Sequence, residues 1–391
     1  MKRIISIDVL RGIAVLGILI MNIQSFSMPS AAYINPTAYG DLTGINRWVW
    51  IFSHILASEK FMSIFSMLFG AGMVIFAENA ERKGRNPALL HYRRMGWLLL
   101  FGLLHGYLLW YGDILVSYSL CGMLLFLFRK LPPQRLIWIG FGFYLVPVIL
   151  DSLFAFSMPF WPEESVYSTL QSWKPDDETI RHYLDGYRGG WLGQMELRVH
   201  GTLFLQTGYF MMQSFWRVFS MMLMGMALYR WRVLSAERST SFYLRMTLTG
   251  LVAGYALSGL GVVLNFREQW SMEWSMFLGT HLNYVGSVGV ALGYTGLIML
   301  ICKWSGMPRF KSLFASVGRM AFTNYILTTL LCTSIFYGHG FGLYGSVERV
   351  FQLLIVLGVW ILLMVISPLW LKRFRYGPLE AVWRKLTYYT I

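Results

Sequence analysis

The chain has 391 residues, 56% of them hydrophobic and 13% charged, with a mean hydropathy of +0.52. Apolar runs long enough to cross a bilayer recur from end to end, which excludes a soluble globular protein and predicts an all-α polytopic membrane bundle forming a single integral domain. The formal charge of +14 sits in Lys and Arg residues between those runs, so it reports membrane topology rather than a nucleic-acid partner.

The first predicted span covers residues 5–26, after Lys2 and Arg3. A basic start before an apolar run, with Ser30-Ala31-Ala32 beyond it, resembles a signal peptide, but the many later spans favour a retained first helix. This span carries Asp8 and Arg11 at its entrance and Asn22 near its exit. At 100° per residue, Arg11 and Asn22 fall within about 20° of each other and roughly 16 Å apart along the axis. Asp8 lies one turn before Arg11, close enough to pair with it as a structural ion pair. One face of an otherwise apolar helix is therefore polar at both ends, and it is expected to look into the bundle.

The loop 27–46 is neutral, contains Pro29 and Pro36, and is placed outside. Residues 48–58 read as a short aromatic helix, interfacial or tilted. The second full span, 60–78, contains Gly70-Ala71-Gly72, small residues that permit close helix packing. Arg82, Lys83, Arg85, Arg93 and Arg94 follow on the inside. Spans at 95–110 and 114–128 are joined by the outer turn Tyr111-Gly112-Asp113, and a span at 136–156 follows Arg129, Lys130 and Arg135.

Residues 157–206 form the one long hydrophilic stretch, with Glu163, Glu164, Asp176, Asp177 and Glu178, and are expected to make an extracytoplasmic insertion of short helices. Further spans are predicted at 207–229, 246–266, 281–302, 320–336 and 351–371. With this assignment 23 of the 33 Lys and Arg residues fall on the inside, which supports about ten spans with both termini cytoplasmic. Cys121, Cys302 and Cys332 lie in or beside apolar segments and suit neither a disulfide framework nor a metal site.

Ionisable residues within spans are costly and are candidates for function. The outer half holds Asn22, Gln24, His54, Glu59, Lys60, His105, Asp113, Arg217, His281 and Asn283; the inner ends hold Asp8, Arg11, Arg319 and Asn324. Two polar layers suggest a cavity reached from both sides. His105 stands between Gly102 and Gly106, with Asp113 at the next turn. A histidine oriented by a carboxylate is equipped to act as a general base. The structural alternative is one interhelical hydrogen bond from His105 and a helix cap from Asp113. Lys60 and Arg217 either bind an anionic group or snorkel to the interface, and His281 and Asn283 open a span. No phosphate-binding loop, nucleophile elbow or zinc-protease motif occurs.

Asp8-x-x-Arg11-Gly12-Ile13-Ala14 with Asn22 resembles the first span of the YeiB family, bacterial inner-membrane proteins with a domain of unknown function. Lys60-Phe61 through Leu68-Phe69-Gly70-Ala71-Gly72, and His105-Gly106 through Gly112-Asp113-Ile114-Leu115, carry the same resemblance. So do Gly318-Arg319-Met320-Ala321-x-Thr323-Asn324-Tyr325 and Gly377-Pro378-Leu379-Glu380-x-x-Trp383-Arg384. The family is often described as involved in transport. Its first span is also similar to that of the heparan-alpha-glucosaminide N-acetyltransferases and, more distantly, the acyltransferase-three membrane enzymes, which move an acyl group from cytoplasmic acyl-CoA to an acceptor across the membrane. The acyltransferase-three pattern has a histidine eleven residues after the arginine; the heparan-type enzymes have asparagine there, as this chain has Asn22, and take their histidine from the following outer loop. The loop 27–46 of this chain contains no histidine.

The resemblance implies a membrane acyltransferase using acyl-CoA (acetyl-CoA) with no metal. Arg11 and Arg319 would meet the donor, and His105 and Asp113 would perform the proton transfer. Asn22, Lys60, Arg217, His281 and Asn324 would bind an envelope sugar or lipid acceptor, with membrane lipids around the bundle. The alternatives are a transporter or flippase using the same polar layers, and a structural lipid-binding module.

Overall fold

The computed structural model describes residues 3–389, so Lys2, counted among the inside charges, lies outside them. The described residues form helices and no strand. In chain order these are α1 (Ile5–Ser27), α2 (Ala31–Ile34), α3 (Gly44–Ala57), α4 (Lys60–Arg82), α5 (Pro87–Leu108), α6 (Leu115–Leu125) and α7 (Pro133–Ser157). The hydrophilic stretch carries α8 (Glu163–Trp173), α9 (Asp177–Arg188) and α10 (Met195–Gln206). Then come α11 (Phe215–Arg230), α12 (Thr240–Arg267), α13 (Met272–Ser275), α14 (Leu278–Lys303), α15 (Pro308–Arg319), α16 (Ala321–Phe336), α17 (Arg349–Arg373) and α18 (Pro378–Tyr388).

Among the described residues, six stretches are long and apolar enough to cross a membrane: Ile5–Ser27, Gly44–Arg82, Pro133–Phe160, Thr240–Arg267, Met272–Lys303 and Arg349–Arg373. The other four expected spans correspond to α5, α6, α11 and α16, which are shorter or more polar; of these, Leu115–Phe128 and Ala321–Phe336 are short apolar helices. The aromatic segment at 48–58 is α3, joined to α4 through Ser58 and Glu59 within a single 39-residue apolar stretch. Glu59 makes that corner in the left-handed region, at φ 66°.

Helix α1 is the axis of the bundle. Two-thirds of its apolar window is buried, against 22–28% for α7, α12 and α17, which form the outer wall. Small residues set how closely the inner helices approach. A Cβ on Gly12 would run into the carbonyl of Phe314, and one on Gly318 into that of Asp8, so α1 and α15 cross backbone to backbone. Gly70 of α4 meets the carbonyl of Met222, and Gly225 of α11 meets that of Met67. Without water competing for polar groups, such contacts between small residues hold membrane helices together. Gly72, expected to serve the same packing, faces open space.

The insertion closes one end of the bundle. Asn35 Nδ2 donates to the carbonyl of Trp173 at 3.1 Å, Trp173 Nε1 to that of Trp270 at 2.9 Å, and Arg188 Nε to that of Tyr344 at 2.8 Å. At the opposite end the start of α1 and the closing helix α18 lie together, both bordering one cavity.

Candidate functional site

A cavity of about 200 Å³ opens at the end where α1 begins and α18 finishes. Its walls are apolar, including Phe65, Leu68, Phe69, Met73 and Met95, and Gly72 leaves room in them. Its rim carries Arg11, Arg94, Arg319 and Glu380. Arg11 donates to Asp8 at 3.3 Å, and Arg3 pairs with the other oxygen of the same carboxylate. The expected Asp8–Arg11 pair is thus part of a three-residue cluster that fixes Arg11 at the rim. Arg94 stacks on Trp383, 4.2 Å from the ring centroid, while Trp383 Nε1 donates to the Arg94 carbonyl at 2.9 Å. His91 also lines the cavity, but its Nε2 is 2.8 Å from the Gly122 carbonyl and its ring stacks on Phe126.

Beyond the cavity lies a chamber of about 20 Å³, lined by Asn22, Trp110, Thr328 and Thr329 among apolar neighbours. Phe65, Ile114 and Tyr325 border both spaces and stand between them. Arg11 and Asn22, placed by periodicity on one face of α1, border the cavity and the chamber respectively.

His105 lies against Thr329 and Tyr325 of these walls, with 1% of its side chain exposed. Its Nδ1 is 2.8 Å from Asp113 Oδ2, and its Nε2 is 3.0 Å from Thr329 Oγ1. A carboxylate only accepts, so Nδ1 carries the proton and Nε2 presents its lone pair to the threonine hydroxyl. Tyr325 stacks obliquely on the imidazole at 4.9 Å, and its hydroxyl accepts from Ile114 N at 3.3 Å.

Asp113 performs both roles the sequence offered as alternatives. Oδ2 orients His105, and Oδ1 accepts from Val116 N at 2.9 Å in the first turn of α6. Gly102 permits this, because a Cβ there would crowd Val116 N and Asp113 Oδ1.

The turn bearing His105 is the last of α5, where backbone carbonyls lack helical partners. The insertion supplies them. Thr202 Oγ1 donates to the Gly106 carbonyl at 2.9 Å, Arg198 Nε to that of Tyr107 at 3.0 Å, and Trp191 Nε1 to that of Leu108 at 2.8 Å. A cation at a helix C-terminus also complements its dipole.

Other sequence candidates lie elsewhere. Lys60, Arg217 and His281 line neither space. Lys60 Nζ donates to the His54 carbonyl at 3.1 Å and to Asn283 Oδ1 at 2.5 Å. Arg217 pairs with Glu59 at 3.1 Å, donates to Ser63 and Ser287, and stacks over Tyr284. His281 is 3.9 Å from Asp151. These form a second polar cluster among α4, α7, α11 and α14, apart from the His105–Asp113 pair. Asn324 is buried and clamps three helices, donating to the Val317 carbonyl at 3.1 Å and to Ser367 Oγ at 3.0 Å. Arg319 remains at the cavity rim, with one contact to the Arg375 carbonyl at 3.1 Å.

The family described as "Protein of unknown function (DUF418)" matches residues 228–390. The uncharacterised protein YeiB of Escherichia coli (strain K12) is 33% identical over 392 residues, spanning 99% of this chain and 97% of the relative. The chain belongs to the YeiB family. Among its relatives, the uncharacterised protein YxaH of Bacillus subtilis (strain 168) is 33% identical over 409 residues, with 99% and 94% covered. An uncharacterised 39.9 kDa protein of Bacillus acidopullulyticus is 26% identical over 394 residues, with 99% and 94% covered. No solved structure matches. The matches to YeiB and YxaH run over 99% of this chain.

Proposed function

We propose that this multi-pass membrane protein is an acyltransferase of the bacterial inner membrane, passing an acyl group from cytoplasmic acyl-CoA to an envelope-side sugar or lipid. One observation carries the reading. The buried Asp113–His105 pair reaches, through Thr329, a small chamber that shares Phe65, Ile114 and Tyr325 with a cavity whose mouth is cationic and whose walls are apolar. Arginine suits phosphate groups because its planar donors meet them in pairs. The residues present therefore fit an acyl-CoA: Arg11, Arg94 and Arg319 would hold its phosphates at the mouth, and the apolar walls would take its narrow arm. The donor supplies an activated thioester. His105, held in one tautomer by Asp113, takes a proton from a hydroxyl at Nε2, and a nearby N–H donor stabilises the charge that develops on the carbonyl oxygen.

A transport reading has one observation in its favour, the adjacency of cavity and chamber, which share Phe65, Ile114 and Tyr325. Proteoliposomes enclosing a bacterial envelope extract separate the two. Label from external acetyl-CoA that becomes covalently attached to enclosed material supports transfer. Flux of unmodified envelope material without acyl-CoA, and no covalent label, would replace transfer with transport.

A further inference from the structure

We propose that Thr329 is a covalent way-station, accepting the acyl group before it passes to the outer acceptor; this rests on the acyl-transfer reading above. The hydroxyl geometry comes first. Several buried hydroxyls of these helices bond the carbonyl one turn back, as Thr333 does to Thr329 at 2.9 Å, Thr295 to Ala291 at 2.8 Å and Ser66 to Met62 at 2.9 Å. Thr329 stands 3.4 Å from its corresponding carbonyl on Tyr325 and only 3.0 Å from His105 Nε2. With Nδ1–H given to Asp113, carboxylate, imidazole and hydroxyl form a continuous chain, the arrangement that activates a hydroxyl nucleophile.

Position is the second ground. Thr329 lines the chamber, whereas His105 lines neither space. Of the two, the side chain able to meet a thioester entering the chamber is therefore the threonine. Trp110 lines the same chamber, is 2% exposed, and its indole N–H has no acceptor among the described residues. An unpaired donor beside a nucleophile is what a developing oxyanion needs.

Size is the third. A void of about 20 Å³ is little more than one water occupies. The chamber must widen even for the donor's acyl group, and far more to hold donor arm and acceptor together; an acyl group parked on Thr329 lets the two enter in turn. In the first half-reaction Thr329 Oγ1 attacks the thioester carbonyl and its proton goes to His105 Nε2. The C–S bond breaks with its electron pair to sulfur, which leaves as the thiol after taking that proton. In the second, an acceptor hydroxyl or amine attacks the threonyl ester and gives its proton to His105. The C–O bond to Thr329 breaks, and the threonine hydroxyl is restored with that proton.

The test uses the full chain in nanodiscs with acetyl-CoA, with and without bacterial envelope extract as acceptor source. Without extract, wild type should release about one CoA per protein and carry an acetyl group on the peptide containing Thr329. Thr329→Val should lose burst and label, Thr329→Ser should keep both, and His105→Ala should lose label with Thr329 still present. Turnover in the presence of extract, with no burst or label in its absence and with Thr329→Val within about twofold of wild type, would overturn the way-station and leave direct transfer. No CoA release in either arm, from acetyl- or octanoyl-CoA, would overturn the transfer reading and this inference together.

Discussion

Arg198 Nε donates to the carbonyl oxygen of Tyr107 at 3.0 Å, seating a fully buried guanidinium on the C-terminal end of the helix that carries His105. The hydrophilic insertion thereby becomes part of the site, because it fixes the turn from which His105 reaches Asp113. Arg198→Ala leaves two carbonyls, on Tyr107 and Trp191, without their donor. It should cost at least about 2 kcal/mol, since buried acceptors pay for losing a charged partner. Thermal unfolding in detergent should show a lowered Tm, and transfer should fall with it. An unchanged Tm would mean that the insertion only covers α5.

Glu380 offers a second test at the opposite end. Its carboxylate accepts from Phe322 N at 2.8 Å, Thr323 N at 3.1 Å and Thr323 Oγ1 at 2.5 Å, capping α16 from the last helix. Glu380→Ala removes a cap worth about 1–2 kcal/mol and should loosen α18. Trypsin should then cut after Arg373 or Arg375 several-fold faster than in wild type. Equal cutting rates would show that Trp383 and Arg94 hold the helix without Glu380.

Gly70 and Gly72 should answer differently to the same change. A Cβ at Gly70 strikes the Met222 backbone, whereas one at Gly72 meets nothing within 4 Å. Gly70→Ala should destabilise by about 1–3 kcal/mol through overpacking. Gly72→Ala should leave Tm unchanged. A matching loss in Tm for both variants would contradict the α4–α11 packing described here.

Arg11 and Arg319 both border the cavity mouth. Arg11 is partly exposed and shared with Asp8, so each alanine variant should weaken CoA binding modestly, about 3- to 10-fold. Trp383 lines the same cavity, and quenching of its fluorescence gives the titration. Affinity unaffected by the double variant would place the donor elsewhere.

The sequence made the helical membrane bundle legible because hydropathy measures depth directly. It also singled out His105 and Asp113, since a histidine and a carboxylate at a helix end inside an apolar protein are few and costly. Depth carries no azimuth, however. Lys60, Arg217 and His281 fall in the same outer half of the sequence pattern as His105, yet face another set of helices. Thr329 and Trp110 gave no signal, because threonine and tryptophan are ordinary in membrane helices and only the fold shows which hydroxyl faces an imidazole. Arg94 was visible as an inside charge, and Glu380 and Trp383 within the closing motif, without any sign that they meet at one cavity.

The central claim is that His105, oriented by Asp113, handles the proton in acyl transfer. The most direct measurement is the initial rate of label transfer from acetyl-CoA to envelope extract by purified wild type, His105→Ala and Asp113→Asn, each shown to be folded by its elution profile and Tm. Transfer by wild type is expected, with a loss of at least about 100-fold in His105→Ala and a large loss in Asp113→Asn, in line with the contribution of a positioned general base. Transfer by folded His105→Ala at the wild-type rate would contradict it.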